Sequence, residues 1–487
     1  NGMVVAMGNR EAPGTVRTFE WSEASNDWAK RGGLAGYQIV GPSYSGIGEF
    51  GAKPLGISAD GSRLVIGANY GDAGYAQVFE WTGTAWVAVG QEFVGQTSGG
   101  EAAGGYYGDR LGQGTALSAD GRTLAIGTGL HGDAYVKVYV WKDDEPVGSE
   151  WQLVATLRDG QPGHTVFHNG DGYGDYVALS ADGTVLAVAA SCHDEGGNAN
   201  AGRVLTYTRV DHPSPPSLPL PPAPPPLPPA VPRSPPPPAP PPAPPLPPPF
   251  EPPPPAPLPP PLHLTVAGYT LVSSGETIVG DYENHRHGHP MAMSGDGLTL
   301  VAASLYATHS ADVRAYAWNG ADWVQKGGDI HDDAATSAEQ VSEVAINADG
   351  SRIAVGSIAG YWVRVFSWDG GDWVPLGNTM EVGVHLPYGG ALKSLAMSGD
   401  GTRVAAGTHG GSSSDPVDPN GRMYVLDYDA NANEWRQKGN TIHALPLNDG
   451  NKWWGWEVAM SSNGMVVAMG NREAPGTVRT FEWSEAS

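Results

Sequence analysis

Three histidines alternate in the stretch Asp281-Tyr-Glu283-Asn-His285-Arg-His287-Gly-His289. On an extended strand, alternate side chains share one face. Three imidazoles on one face, with Asp281 and Glu283 beside them, would be a donor set for zinc or copper. The stretch falls between two repeating units, where alternation is not assured. The expectation is therefore surface histidines in a loop, with no metal and no cofactor. A second candidate is Cys192-His193-Asp194-Glu195, where a thiol beside an imidazole could form a nucleophile and its base. Cys192 is the single cysteine of 487 residues. It reads as a buried thiol, and its solitude leaves no disulfide framework and no cysteine-based zinc site. No GxSxG, HExxH or P-loop occurs, so the chain is expected not to be an enzyme.

The elements that must position these residues are short strands. A tetrad recurs as Ser58–Gly61, Ser118–Gly121, Ser180–Gly183, Ser294–Gly297, Asn347–Gly350, Ser398–Gly401 and Ser461–Gly464. Asp-Gly and Asn-Gly suit a type I′ hairpin, in which both central residues take positive φ. An apolar strand follows each tetrad, as in RLVIGA from Arg63. Next comes an alternating strand ending in an aromatic residue, as in YAQVFEW from Tyr75. A last strand opens with Trp in most units: Trp28, Trp86, Trp151, Trp323, Trp373 and Trp435. Four short antiparallel strands in units of about 50–65 residues are the pattern of a propeller blade. The fold class is thus all-β, a seven-bladed β-propeller of four-stranded blades. Pairs such as Trp81 with Trp86, Trp318 with Trp323 and Trp368 with Trp373 are expected in the core between blades. One unit departs, with Tyr207 and Tyr269 standing where its neighbours have Trp.

Between those tyrosines lies a run of another kind. Of the 44 prolines, 32 fall between Pro213 and Leu262. Proline fixes φ and donates no backbone hydrogen bond, so the run has one regular option, a polyproline II rod. The chain divides into propeller blades over 1–212, the rod over 213–262, and propeller blades over 263–487. The formal net charge of −24 argues against nucleic acid as a partner. No run of 18 apolar residues is present, so no membrane insertion is expected. The first residue is Asn and no signal peptide is visible, so the sequence reads as a piece of a mature protein.

Two stretches resemble known families. EFGAKPLGISADGSRLVIGA, from Glu49 to Ala68, resembles an FG-GAP repeat of the integrin-α-like propellers. That resemblance implies a propeller, often extracellular, used for adhesion or ligand binding. Blades of the family often carry a calcium loop of the form DxNGDGxxD. The nearest match is Asn169-Gly-Asp171-Gly-Tyr-Gly-Asp175. Phe167 replaces the leading Asp, and the stretch precedes the first strand instead of following it, so an ordinary turn is the reading adopted. SPPPPAPPPAPPLPPP, from Ser234, resembles the hydroxyproline-rich rods of algal and plant extracellular glycoproteins, of the extensin and pherophorin kind. This implies prolyl hydroxylation and O-linked glycans, here at Ser214, Pro215, Pro216, Ser217, Ser234, Pro235, Pro236, Pro237, Pro238, Pro252, Pro253, Pro254 and Pro255. Composition alone gives an extended segment, and a bare linker or a ligand for SH3 or WW domains are the plainer readings.

Residues 1–25 recur letter for letter at 463–487. The sequence therefore has a period of 462 residues and reads as a window of a longer tandem array, with seven tetrads per period. Geometry then poses a choice. Neighbouring strands lie about 4.8 Å apart, whereas a straight rod over 213–261 spans roughly 150 Å. In one arrangement the rod is a spacer, and Arg203–Arg209 pairs with a Leu264–Ile278 strand of another period or chain. In the other the rod bends back near Val231–Ser234 and rejoins the same propeller. The first is preferred. Three functions follow: a structural glycoprotein of an extracellular fibre or cell-surface coat, partnered by copies of itself and by glycans; an adhesive or carbohydrate-binding propeller on a proline-rich stalk; or a propeller hydrolase, which needs a clustered acid or metal set at the central channel. The structural glycoprotein is preferred.

Overall fold

Every tetrad closes a tight hairpin between the first and second strands of a sheet. In the computed structural model, Gly121 N donates to Ser118 O at 2.9 Å and Ser118 N donates to Thr123 O at 2.9 Å. Only the glycine has positive φ, 67° at Gly121, so the turn is not the type I′ expected. The reason is the aspartate. Asp120 Oδ1 accepts from Ser118 Oγ at 2.6 Å and from Arg122 N at 2.9 Å, an Asx turn that leaves only the following residue to go left-handed. The buried Ser118 Oγ in turn accepts from Thr123 N at 2.8 Å. Burial pushes the carboxyls of Asp60, Asp182, Asp349 and Asp400 up, but the hydrogen bonds from such Ser or Asn side chains and backbone amides outweigh it. These carboxyls stay below the usual range.

The structure describes residues 55–68, 73–83, 85–96, 108–128, 134–158, 172–195, 197–211, 269–304, 313–330, 341–357, 361–382, 392–408, 422–443, 454–464, 466–471 and 478–482. It also describes four short strands at Thr15–Arg17, Glu20–Ser22, Asp27–Ala29 and Gln38–Val40. Among these residues there is no helix, so none that could cross a membrane. Six sheets carry four strands in consecutive antiparallel order, and three of them add a short fifth strand that pairs with the third. We number them along the chain. Sheet 1 begins with Gly56–Ile57, sheet 2 with Gly114–Leu117, sheet 3 with Tyr173–Leu179, sheet 4 with His287–Met293, sheet 5 with Val341–Ile346 and sheet 6 with Leu392–Met397. Sheet 7, which begins with Trp454–Met460, has three strands in the same order. The first strands of all seven line one cavity. Sheets set radially around a common channel are the geometry of a β-propeller.

Three devices join neighbouring sheets, the first at all six junctions from sheet 1 to sheet 7 and the other two at some of them. The first is a chain of backbone hydrogen bonds from turn to turn: Ala59 N to Ala119 O, Ala119 N to Ala181 O, Ala181 N to Gly295 O, Asp296 N to Ala348 O, Ala348 N to Gly399 O and Gly399 N to Ser462 O. The second is an arginine that crosses to the next turn. Arg63 Nη1 donates to Gly121 O at 3.1 Å, Arg352 Nη1 to Gly401 O at 3.0 Å and Arg403 Nη1 to Gly464 O at 2.8 Å. The third is the tryptophan pair. Trp318 faces Trp323 and Trp368 faces Trp373 across the outer hairpins, with ring centroids 5.5 and 5.4 Å apart. In sheets 4, 5 and 6 the Trp of the fourth strand is buried and its indole N–H reaches the preceding sheet, Trp323 Nε1 to Thr206 Oγ1 at 2.8 Å, Trp373 Nε1 to Lys326 O at 2.7 Å and Trp435 Nε1 to Leu376 O at 2.9 Å. Gly327 makes room for this: a Cβ there would lie 2.9 Å from Trp368 and 3.1 Å from Trp373. The inter-blade role expected of the aromatics is what these pairs perform. The ring closes through one apolar cluster that joins Leu64, Ile66 and Phe79 of sheet 1 to Met423 and Val425 of sheet 6 and to Val458 and Val467 of sheet 7.

Sheet 3 corrects two expectations. Tyr207 pairs with Leu186 as Phe79 pairs with Leu64, so it matches Phe79. Arg209 and Leu271, which face one another, occupy the positions of the tryptophan pair, and Tyr269 lies beyond them. Tyr207 instead turns inward, its hydroxyl 2.8 Å from that of Tyr173. Arg203–Asp211 also pairs with Tyr269–Ser273 of the same chain, from Tyr207 with Ser273 to Asp211 with Tyr269. The preferred arrangement, in which the fourth strand comes from another period or chain, is thereby overturned. Both flanks of the proline run belong to one hairpin, so a straight rod cannot connect them. The run 213–262, with all its expected glycosylation positions, lies outside the described residues.

Candidate functional site

The cavity at the centre of the ring has a volume of about 290 Å³. Each first strand is the terminal strand of its sheet, so its inner edge carries backbone N–H and C=O groups that no neighbour in the sheet can pair. The side chains come in layers, because the seven strands share one register relative to their tetrads. One layer, three residues before each tetrad, holds Leu55, Thr115, Val177, Met291, Val344, Leu395 and Val458. It is almost wholly apolar. The layer one residue earlier is mixed, with Gly114, Tyr176, Pro290, Glu343, Ser394 and Glu457.

Glu343 and Glu457 line the cavity with Tyr176. Burial pushes the Glu343 carboxyl well above the ordinary carboxylate range, and the negative charge of Glu457 pushes it further. Lys393, beside Ser394 on the strand between them, pulls weakly the other way. The Tyr176 phenol is likewise held well above its usual value, first by burial and then by Glu343, Glu457 and Asp175. These responses place the two carboxyls and the phenol in one electrostatic unit. A carboxyl that holds its proton more tightly than usual, facing a second carboxyl, is a group that can donate and accept protons. It can also hold a cation or a hydroxyl-rich ligand.

None of this cluster was singled out in the sequence. Aligning the units on their tetrads would have found it, since Glu stands four residues before the tetrad in two units. The residues that were singled out go elsewhere. Far from being surface groups in a loop, His285 and His287 are buried, and His287 opens a strand. The three rings have separate partners. His285 packs on Tyr282 at 4.8 Å and His289 on Tyr176 at 4.5 Å. His287 sits with Nδ1 3.1 Å from Ser304 Oγ and Nε2 3.2 Å from the Tyr316 hydroxyl. A register shift between His287 and Met291 breaks the alternation that a shared face requires. Burial, then Arg314, lowers His287 to about 4. Among the described residues no group of three or more His, Cys, Asp or Glu could hold a metal ion. Asn169 and Asp171 lie outside the described residues. Asp175 is buried, accepting from Ser191 Oγ and, at 2.9 Å, from Tyr176 N. Cys192 is a buried free thiol, and His193 Nε2 pairs with Glu195 Oε2 at 3.2 Å.

A scan of known protein families finds no match, and neither does a search of curated protein sequences. Solved structures do match. The periplasmic gluconolactonase PpgL of Pseudomonas aeruginosa superposes with a TM-score of 0.50 at 13% identity, over 91% of this chain and 97% of that one. A Lactobacillus plantarum protein gives 0.51 at 11%, over 91% and 97%. A candidate 6-phosphogluconolactonase of Bacteroides uniformis gives 0.50 at 10%, over 91% and 97%. At such identities the likeness is one of fold. It corrects one expectation all the same. The chain was expected not to be an enzyme because familiar catalytic motifs are missing, yet propellers of this architecture include proteins solved as lactonases. Missing motifs therefore give no ground for excluding catalysis.

Proposed function

We propose that the chain is a structural glycoprotein subunit of an extracellular fibre or cell-surface coat, a propeller bearing a hydroxylated and O-glycosylated proline segment. The observation that carries this reading is the pairing of Asp211 with Tyr269. It fixes both flanks of the proline run to the outer hairpin of one sheet, on the far side of that sheet from the channel. Two antiparallel proline arms between those flanks belong to this proposal. The hydroxyproline-rich resemblance, the FG-GAP-like stretch, the seven-bladed count and the tandem period belong to the same proposal, with other copies of the chain and glycans as its partners and the cell exterior as its location. The experiment is intact-mass analysis of the 213–262 peptide from native material. Mass increments of hydroxyproline and pentose or hexose are expected. A peptide of unmodified mass overturns the reading.

A second reading is favoured by one observation, the Glu343, Glu457 and Tyr176 cluster in the channel. It makes the propeller a binding or hydrolytic module, with a carbohydrate or a sugar-derived lactone as ligand. Saturable binding or turnover of such a compound, abolished by Glu457→Gln, is the expected result. Neither binding nor turnover across a panel of sugars and lactones would remove this reading.

A further inference from the structure

The outer hairpins of sheets 4 and 5 are matching turns that differ in one functional group. In sheet 5, Asp369 N donates to Asp372 O at 3.1 Å, and Asp369 Oδ1 accepts from Gly371 N and Asp372 N, both at 2.8 Å. In sheet 4, Asn319 N donates to Asp322 O at 3.0 Å, and Asn319 Oδ1 accepts from Ala321 N and Asp322 N, both at 2.9 Å. A glycine of positive φ follows in each, 104° at Gly370 and 98° at Gly320. An amide thus stands where the sister blade holds a carboxylate. Asn319 and Gly320 are exposed, and a Cβ built on Gly320 would meet nothing within 4 Å, so solvent reaches the peptide between them. Among the described residues no acceptor holds Gly320 N. The two N–H groups on Asn319 Oδ1 polarise its carbonyl and already point at the oxygen that would take up charge if Cγ were attacked. The pair Asn463-Gly464 stands differently. Gly464 is buried, its N donates to Ser461 O at 2.8 Å, its O accepts from Arg403 Nη1 at 2.8 Å, and a Cβ on it would lie 2.8 Å from Ser398 Cβ.

We propose that Asn319 is a site of spontaneous covalent modification, converting to an acid through a cyclic imide with Gly320, while Asn463 is protected by its turn. The Gly320 nitrogen loses its proton to solvent base and attacks Asn319 Cγ. A C–N bond forms, the bond from Cγ to the side-chain nitrogen breaks, and that nitrogen takes up a proton and leaves as ammonia. Water then adds to one of the two imide carbonyls and opens the ring, giving aspartate or isoaspartate. Water enters, ammonia leaves, and nothing is oxidised or reduced. Aspartate at this position meets the two backbone amides that hold the Asp369 carboxylate in the sister hairpin, so Asn319 to Asp322 comes to match Asp369 to Asp372. Isoaspartate adds a methylene to the backbone and loses that match. The product carries a new negative charge on the outer rim of sheet 4.

The test is peptide mapping by mass spectrometry of the full chain aged at mildly alkaline pH, once folded and once in urea, until both pairs have converted in urea. The readout at each pair is the mass gain of an amide-to-acid exchange, with enzymatic methylation marking isoaspartate. In the folded protein Asn319 is expected to convert at least about ten-fold faster than Asn463, because Asn463 must wait for its buried turn to open. In urea the two rates should converge, since both are then exposed Asn-Gly peptides. Asn319→Gln should abolish the mass gain at this position, because its longer side chain does not close the five-membered ring. Asn319→Asp should fold and melt no lower than the parent at neutral pH. Conversion of Asn463 as fast as that of Asn319 in the folded chain overturns the proposal, as does an Asn319 that converts in urea and stays intact when folded. A lower melting temperature for Asn319→Asp would show that the hairpin of sheet 4 does not receive the acid as that of sheet 5 does.

Discussion

At the level of single residues, two buried titratable groups are perturbed with opposite signs. An unfolded chain ionises Glu343 at the ordinary carboxylate value, whereas the folded protein retains that proton to higher pH. Its contribution to stability is complete below the ordinary value and is lost as pH rises through the raised one. Glu343→Gln, which cannot ionise, should melt with the parent near pH 4 and above it near pH 8, the gap widening with pH. Thermal melts across that range check this, and parallel curves would mean that Glu343 ionises as it does in water. His287 behaves oppositely. Its folded value of about 4 lies below the ordinary 6.5, so stability is full above 6.5 and lost as pH falls toward 4. Arg314, Asp281, His285 and Asp329 are the charged or titratable groups around it. The shift corresponds to about 3 kcal/mol. His287→Gln should remove that much of the acid-side loss, read as the difference between the two proteins' urea unfolding free energies at pH 7 and near pH 4.

At the level of elements, the tetrad hairpin is both a turn and a link in the ring. Ser118→Ala would leave Thr123 N without its partner inside a buried turn and free Asp120 from its 2.6 Å hydrogen bond. A cost of about 1–3 kcal/mol is expected. It should appear as a lower urea midpoint with unchanged slope, and a midpoint within error of the parent would mean the turn is held by its backbone alone. These hairpins were legible in the sequence because a Ser or Asn two residues before an Asp-Gly or Asn-Gly is local chemistry repeated in all seven tetrads. Their exact turn type was not, because the Asx hydrogen bond that keeps the aspartate right-handed competes with the type I′ preference of Asp-Gly, and the side chain wins. The tryptophan pairs were legible for the same local reason. Glu343 and Glu457 were hidden because 114 residues separate them in sequence and only ring closure sets them two sheets apart. The histidines misled in the opposite direction. Their alternation suggested one shared face or exposed loop, whereas a register shift sends His287 into the core and His289 onto Tyr176.

At the level of the whole molecule, the question is whether the propeller depends on the proline run or on a second copy to complete sheet 3. The ladder from Tyr207 with Ser273 to Asp211 with Tyr269 is wholly within one chain. Antiparallel partners stand about 4.5–5.5 Å apart at Cα, a gap that a two-residue Asn-Gly turn bridges. Deleting 212–268 and joining Asp211 to Tyr269 through Asn-Gly should therefore yield a folded protein. The loop removed is long, and closing it costs more entropy than closing a two-residue turn. The cost of closure grows only as the logarithm of length, about 0.6 kcal/mol per doubling. The shortened chain should thus be somewhat more stable than the parent. Its channel should keep the same ligand response, since Tyr176 and the two carboxyls stand on inner strands and Tyr269–Ser273 is outermost in its sheet. Light scattering after gel filtration should give the same number of chains per particle for both proteins. If the fourth strand instead came from another copy, the parent would associate and the deletion, having no segment to lend, would behave differently. A change in association state, or a deletion protein that fails to fold while a Gly/Ser linker of the original length restores it, would show that sheet 3 is not completed from within.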